Sequence, residues 1–138
     1  MRDVRVIARV DVKGENVINT IHLEGLRIVG NPNLLAQKYY EQGADEIILI
    51  DQVASLYQRD HLLELTQKFA EKIFVPLTVG GGITSVDQAK ALLRSGADKV
   101  AVNTALTKTP SLVTELATHF GSQCVVASQD VEFARGML

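Results

Sequence analysis

Tyr39-Tyr40-Glu41-Gln42-Gly43-Ala44-Asp45-Glu46-Ile47-Ile48-Leu49-Ile50-Asp51 has a counterpart in Leu92-Leu93-Arg94-Ser95-Gly96-Ala97-Asp98-Lys99-Val100-Ala101-Val102-Asn103-Thr104. Each stretch runs from the end of an amphipathic segment through glycine into a short apolar run, the junction of a helix with a following strand. The shared Gly-Ala-Asp therefore marks one βαβα pair used twice.

Working outward, the same alternation covers the chain. The first strand is expected within Val4–Val12 and the first helix within Asn33–Gln42, ended by Gly43. The second strand is Glu46–Asp51, whose uninterrupted Ile47-Ile48-Leu49-Ile50 predicts burial on both faces. A helix over Asp60–Glu71 follows, with Asp60 as N-cap, then a strand at Val75–Val79. Gly80-Gly81-Gly82 leads to a third helix capped by Ser85 and ended by Gly96. Lys99–Asn103 is the fourth strand, Pro110–His119 the fourth helix behind Thr109, and Gln123–Ser128 the fifth strand, with no convincing fifth helix after it. The long segment Lys13–Pro32 interrupts only the first copy of the repeat; its length suggests a functional loop, with room for a small hairpin at Asn16–Leu23. The fold class is α/β, a parallel βα repeat in a single domain over residues 1–138. Periodicity alone does not separate a partial barrel from an open flavodoxin-like sheet.

Composition narrows the function classes. The chain has 14 basic and 16 acidic residues, a net charge of -2 and 46% hydrophobic residues. That balance offers no basic stripe for nucleic acid or membrane. The single Cys124 cannot form an internal disulfide, which fits a reducing cytoplasm, and it reads as a core residue rather than a nucleophile. The charged start Arg2, Asp3, Arg5, with Arg9 and Asp11 breaking the first apolar run, does not fit a signal peptide. His22, His61 and His119 have no metal-ligand spacing, so no metal and no cofactor is expected.

In α/β proteins ligands sit at the carboxyl ends of the strands. The polar residues there are Asp11, Asp51, Gly80–Gly82, Asn103, Thr104 and Asp130. A lone aspartate after a strand is commonly only a turn or cap residue, but three of them at the ends of the first, second and fifth strands shorten the odds against a functional role. The glycine run suits an anion held by backbone N–H groups, although three glycines can also be merely a tight turn. Asn103 and Thr104, one unit later, add donors for the same anion.

Asp11-Val12-Lys13, Glu24-Gly25-Leu26-Arg27, Gly43-Ala44-Asp45-Glu46, Val79-Gly80-Gly81-Gly82-Ile83, Gly96-Ala97-Asp98-Lys99-Val100 and Phe120-Gly121-Ser122-Gln123-Cys124 occur in the order and spacing of a known family. Over residues 2–130 the chain resembles the amino-terminal half of the cyclase subunit of imidazole glycerol phosphate synthase. It looks less similar to the sister isomerase of that pathway. The resemblance implies a (β/α)8 barrel that takes ammonia from a glutaminase partner and cleaves and cyclises a bis-phosphorylated ribulosyl substrate. It implies Asp11 and Asp130 as the acid–base pair, Asp51 assisting, and Gly81, Gly82, Asn103 and Thr104 around one phosphate. It further implies an ammonia gate at Arg5, Glu46 and Lys99; solvated charges at strand starts are the plainer reading of those three.

Departures from the family point elsewhere. Arg9 shares a strand face with Asp11, where the family has a small or thiol side chain, and its guanidinium would need a carboxylate or a phosphate beside it. Asn19, Val53 and Gln129 are also unusual. These changes resemble paralogues that pass ammonia to a sugar in surface-polysaccharide synthesis. A further alternative is a non-catalytic phosphate-binding module. A full barrel needs about 250 residues, so the chain reads as four βα units plus one strand, half a barrel whose exposed edges and inner face favour homo-oligomers.

Overall fold

The structure, a computed structural model, describes residues 4–13, 16–18, 31–51, 59–103 and 111–128. In chain order these form β1 (Ile7–Lys13), β2 (Asn16–Ile18), α1 (Pro32–Glu41), β3 (Glu46–Asp51), α2 (Arg59–Lys72), β4 (Leu77–Gly80), α3 (Val86–Ser95), β5 (Lys99–Asn103), α4 (Leu112–Phe120) and β6 (Val125–Ser128).

Local chemistry sets the helix ends. Asn31 caps α1 through its side chain on Leu34 N, with Pro32 at the start, where a missing N–H costs nothing. Ser85 caps α3 by accepting from Gln88 N, and Gln88 Oε1 accepts in return from Thr84 N at 2.7 Å, a reciprocal arrangement close to a capping box. Two expected caps fall differently. The second helix already begins at Arg59, which puts Asp60 inside its first turn, and α4 begins behind Ser111, while Thr109 and Pro110 lie outside the described residues.

The strands lie in the order β2-β1-β3-β4-β5-β6. β2 is antiparallel to β1, with Asp11 opposite Ile18, so Asn16–Ile18 folds back on the first strand; the rest of the expected hairpin, residues 19–23, lies outside the described residues. The other five are mutually parallel and follow one another in chain order without reversal. A flavodoxin-like sheet reverses direction at its switch point; this one does not. Consecutive helices pack on each other, α1 on α2, α2 on α3 and α3 on α4, so they form one layer on one face of the sheet. This is the parallel βα repeat of a partial (β/α)8 barrel.

The helix-facing row Val10, Leu49, Val79, Val100 is fully buried in register across four strands, and each such side chain contributes about 1.5–3 kcal/mol by leaving water. Leu35, Leu65, Phe69, Leu92 and Leu116 from the helices close over it. Burial of the second parallel strand on both faces is not what the structure has. In β3 the buried residues alternate, Ile47, Leu49 and Asp51 against the partly exposed Glu46, Ile48 and Ile50, because only one face is covered by helices.

The repeated Gly-Ala-Asp fastens strand starts. Asp45 N donates to Val6 O at 2.8 Å while its carboxylate accepts from Val6 N at 2.7 Å. Asp98 does the same to Leu77, with both bonds at 2.8 Å. Ala44 and Ala97 are buried beside them. Each aspartate thus fixes the register of the strand that precedes its own unit. Before β6 the third junction, Gly121-Ser122-Gln123, has no aspartate and forms a short 3-10 turn over Ser122–Cys124 instead. Cys124, expected inside a strand, ends that turn and is half-buried.

Candidate functional site

Side chains alternate along a strand, and register carries the alternation across the sheet. Two central rows of the face away from the helices lie between Ile7 and Glu46 at the strand starts and Asn103 at the strand ends. One is Asp11, Ile50, Gly80, Ala101 and Val126; the other, two residues nearer the strand starts, is Arg9, Ile48, Thr78 and Lys99. Asn103 follows Ala101 on the same face, opposite Ser128.

Asp11 is 8% exposed, and Arg9 Nε lies 3.0 Å from its Oδ1 and 3.1 Å from its Oδ2. The unusual arginine thus has its carboxylate, and the partner is Asp11 itself. Asp51 is also buried, but it has the phase of Ile47 and Leu49, opposite to that of Asp11.

The glycine run is dictated by close packing. A Cβ on Gly80 would stand 2.7 Å from Ala101 O. Gly81 has φ +139°, and a Cβ there would stand 2.7 Å from Asp51 O and 2.9 Å from Asp51 Cβ. The loop therefore lies against the carboxyl end of β3, and Gly82 is exposed beyond it. The start of α3 is engaged by Ser85 and Gln88, so the backbone left to meet an anion is that of the loop.

At the opposite end of the strands Arg5 and Glu46 form an ion pair, Nη2 to Oε2 at 2.5 Å and Nε to Oε2 at 3.1 Å. Lys99 is not level with them: it is in register with Thr78, whereas Glu46 is in register with Ile7. Strand stagger of the kind that closes barrels sets Lys99 deeper along the inner face. Of the remaining expected residues, Thr104 and Asp130 lie outside the described residues, as do Asn19, His22, Val53 and Gln129. His61 and His119 are carried by α2 and α4 in the helix layer. Thr78 is a polar inner-face residue that the sequence reading passed over, 5% exposed and between Ile48 and Lys99; its position two before Gly80 was the available signal. Among the described residues no helix is long and apolar enough to cross a membrane.

Sequence comparison agrees with this arrangement. Residues 5–136 match the family described as histidine biosynthesis protein. The chain is 62% identical over 128 residues to the imidazole glycerol phosphate synthase subunit HisF of Legionella pneumophila, covering 93% of this chain and 60% of that protein. It is 48% identical to the subunit of the same name from Myxococcus xanthus, covering 93% and 51%, and 46% identical to that of Methanosphaerula palustris, covering 92% and 47%. The chain thus spans between 47% and 60% of the length of these relatives. With a parallel βα repeat wound in chain order, a buried aspartate at the end of its first strand and a match over nearly its whole length, the chain belongs to the histidine biosynthesis protein family.

Proposed function

We propose that this chain supplies the first five parallel strands of an imidazole glycerol phosphate synthase cyclase, which uses ammonia from a glutaminase partner to cleave and cyclise a bis-phosphorylated ribulosyl substrate. The observation that carries the reading is the buried Asp11 at the carboxyl end of β1, in one row with Gly80 of the glycine loop. Carbon–nitrogen cleavage and ring closure need a proton delivered on one side of the substrate and removed on the other. Asp11 takes one of these roles and Asp130 the other, with Asp51 assisting behind the loop. Gly81, Gly82, Asn103 and Thr104 hold one phosphate through backbone and side-chain donors, an arrangement that places the substrate over the strand ends. Arg5, Glu46 and Lys99 line the way by which ammonia reaches Asp11 from the strand starts.

The relatives described above carry the synthase name, which favours the cyclase over sugar amidation and over a non-catalytic module. The test is complementation of a histidine auxotroph that lacks the cyclase, with this chain expressed alone and together with the remaining strands of a full-length relative. Growth in either arm that is lost on Asp11→Asn supports the reading. Absence of growth in both arms, with the protein present and folded, overturns it.

A further inference from the structure

Arg9 is left unused by the function proposed above. Its Nε lies against both carboxylate oxygens of Asp11, so Asp11 is gripped through one nitrogen. The fork formed by Nη1 and Nη2, the part of a guanidinium that grips planar oxyanions bidentately, is not spent on it. Among the described residues no other side chain accepts from Arg9. The row it belongs to continues with Ile48, Thr78 and Lys99 and contains no carboxylate. The neighbouring row contains only Asp11 as an acid. Within these two rows one carboxylate faces two cations; the other acid of this face, Glu46 at the strand starts, is paired with Arg5, and Lys13 follows Asp11 in the same phase. The Arg9 side chain is 54% exposed, against 11% for that of Asp11, so the guanidinium is open to a ligand while the carboxylate beneath it is covered.

We propose that Arg9 is an anion-contacting residue of this site: Nε holds Asp11 in place while Nη1 and Nη2 take an oxyanion of the ligand. The ligand class is a small molecule with a phosphate or carboxylate beside the group on which Asp11 acts, separate from any anion in the glycine loop. This rests on the reading of the inner face as the substrate site. It makes Arg9 a determinant of which acceptor that site admits, because a ligand without the second anion would leave the fork unsatisfied.

The test titrates the full chain, labelled with 15N at arginine and glycine, with inorganic phosphate and separately with malonate. The Arg9 Nε–H resonance and the Gly81 and Gly82 amides are followed by NMR. Saturable movement of the Arg9 resonance is expected. Arg9→Gln should weaken that binding about tenfold or more, the usual scale for one charge-assisted contact, and Arg9→Lys, which keeps the charge but has no fork, should recover only part of it. Competition by malonate identifies a site that accepts carboxylates; phosphate binding without malonate competition identifies a phosphate site. If phosphate moves the glycine amides but leaves the Arg9 resonance still, and Arg9→Gln binds as tightly as the parent, the proposal is wrong while the glycine-loop reading stands. If no saturable binding is seen at either place, both fall. Should Arg9→Gln fail to fold, the parent resonance and Arg9→Lys still decide.

Discussion

Arg9 Nε stands 3.0 Å from Asp11 Oδ1, two residues apart on one strand, so the most buried acid of the inner face has its counter-charge on its own strand. Such a pair contributes modestly to stability, because its arginine is half in water. Its consequence is positional: the carboxylate is held in the row it shares with Ile50 and with Gly80 of the glycine loop.

Asp11→Asn keeps the shape of the residue and one acceptor oxygen for Arg9 Nε, but removes the charge and the ability to exchange a proton. Ammonia-dependent turnover in the assembly that complements the auxotroph should fall by about 10²–10⁴ with KM little changed. Far-ultraviolet circular dichroism should be unaltered. Turnover within a factor of two of the parent would remove Asp11 from the acid–base role.

The two aspartate clamps should differ in strength. Asp98 bonds the partly buried N–H of Leu77, whereas Asp45 bonds the exposed N–H of Val6. Water can replace the lost acceptor only in the second case. Asp98→Ala should cost about 1–3 kcal/mol in urea unfolding, and Asp45→Ala less. Equal losses would show that the backbone bonds of the junction, rather than the carboxylates, set the register.

Gly81→Ala meets two obstacles, the positive φ of +139° and a contact of 2.7 Å with Asp51 O. A loss of about 1–3 kcal/mol is expected from the backbone conformation, visible as a lowered thermal midpoint. A neutral substitution would mean that the loop re-forms away from β3.

The helix-free face leaves Ile7 50% and Val126 38% exposed, together with the half-buried Ile48 and Ile50. We expect the 138-residue chain, expressed as such, to bury this face against a second copy. Light scattering across a concentration series should give at least a dimer. A monodisperse monomer at high concentration would contradict this.

Local signals were partly legible in the sequence: Ser85 was read as the cap of its helix, whereas Asp60, also read as a cap, lies inside its helix. Asn31 and Ser85 work within one turn of their helices. The Gly-Ala-Asp repeat located two strand starts, and the strand-end position of Asp11 identified a candidate acid. What it could not contain depends on hydrogen bonds between strands far apart in the chain. Chain-order winding excluded the open sheet only once β3 was seen between β1 and β4. The run Ile47–Ile50 concealed its alternation, because apolar residues serve both the helix-covered face and the inner face. Register then decided the rest: it set Asp51 out of phase with Asp11, placed Lys99 level with Thr78 instead of Glu46, and left the row of Arg9 without an acid from any neighbouring strand. Residue identity fixed which groups were available, and strand pairing, a non-local property, fixed which of them face one another.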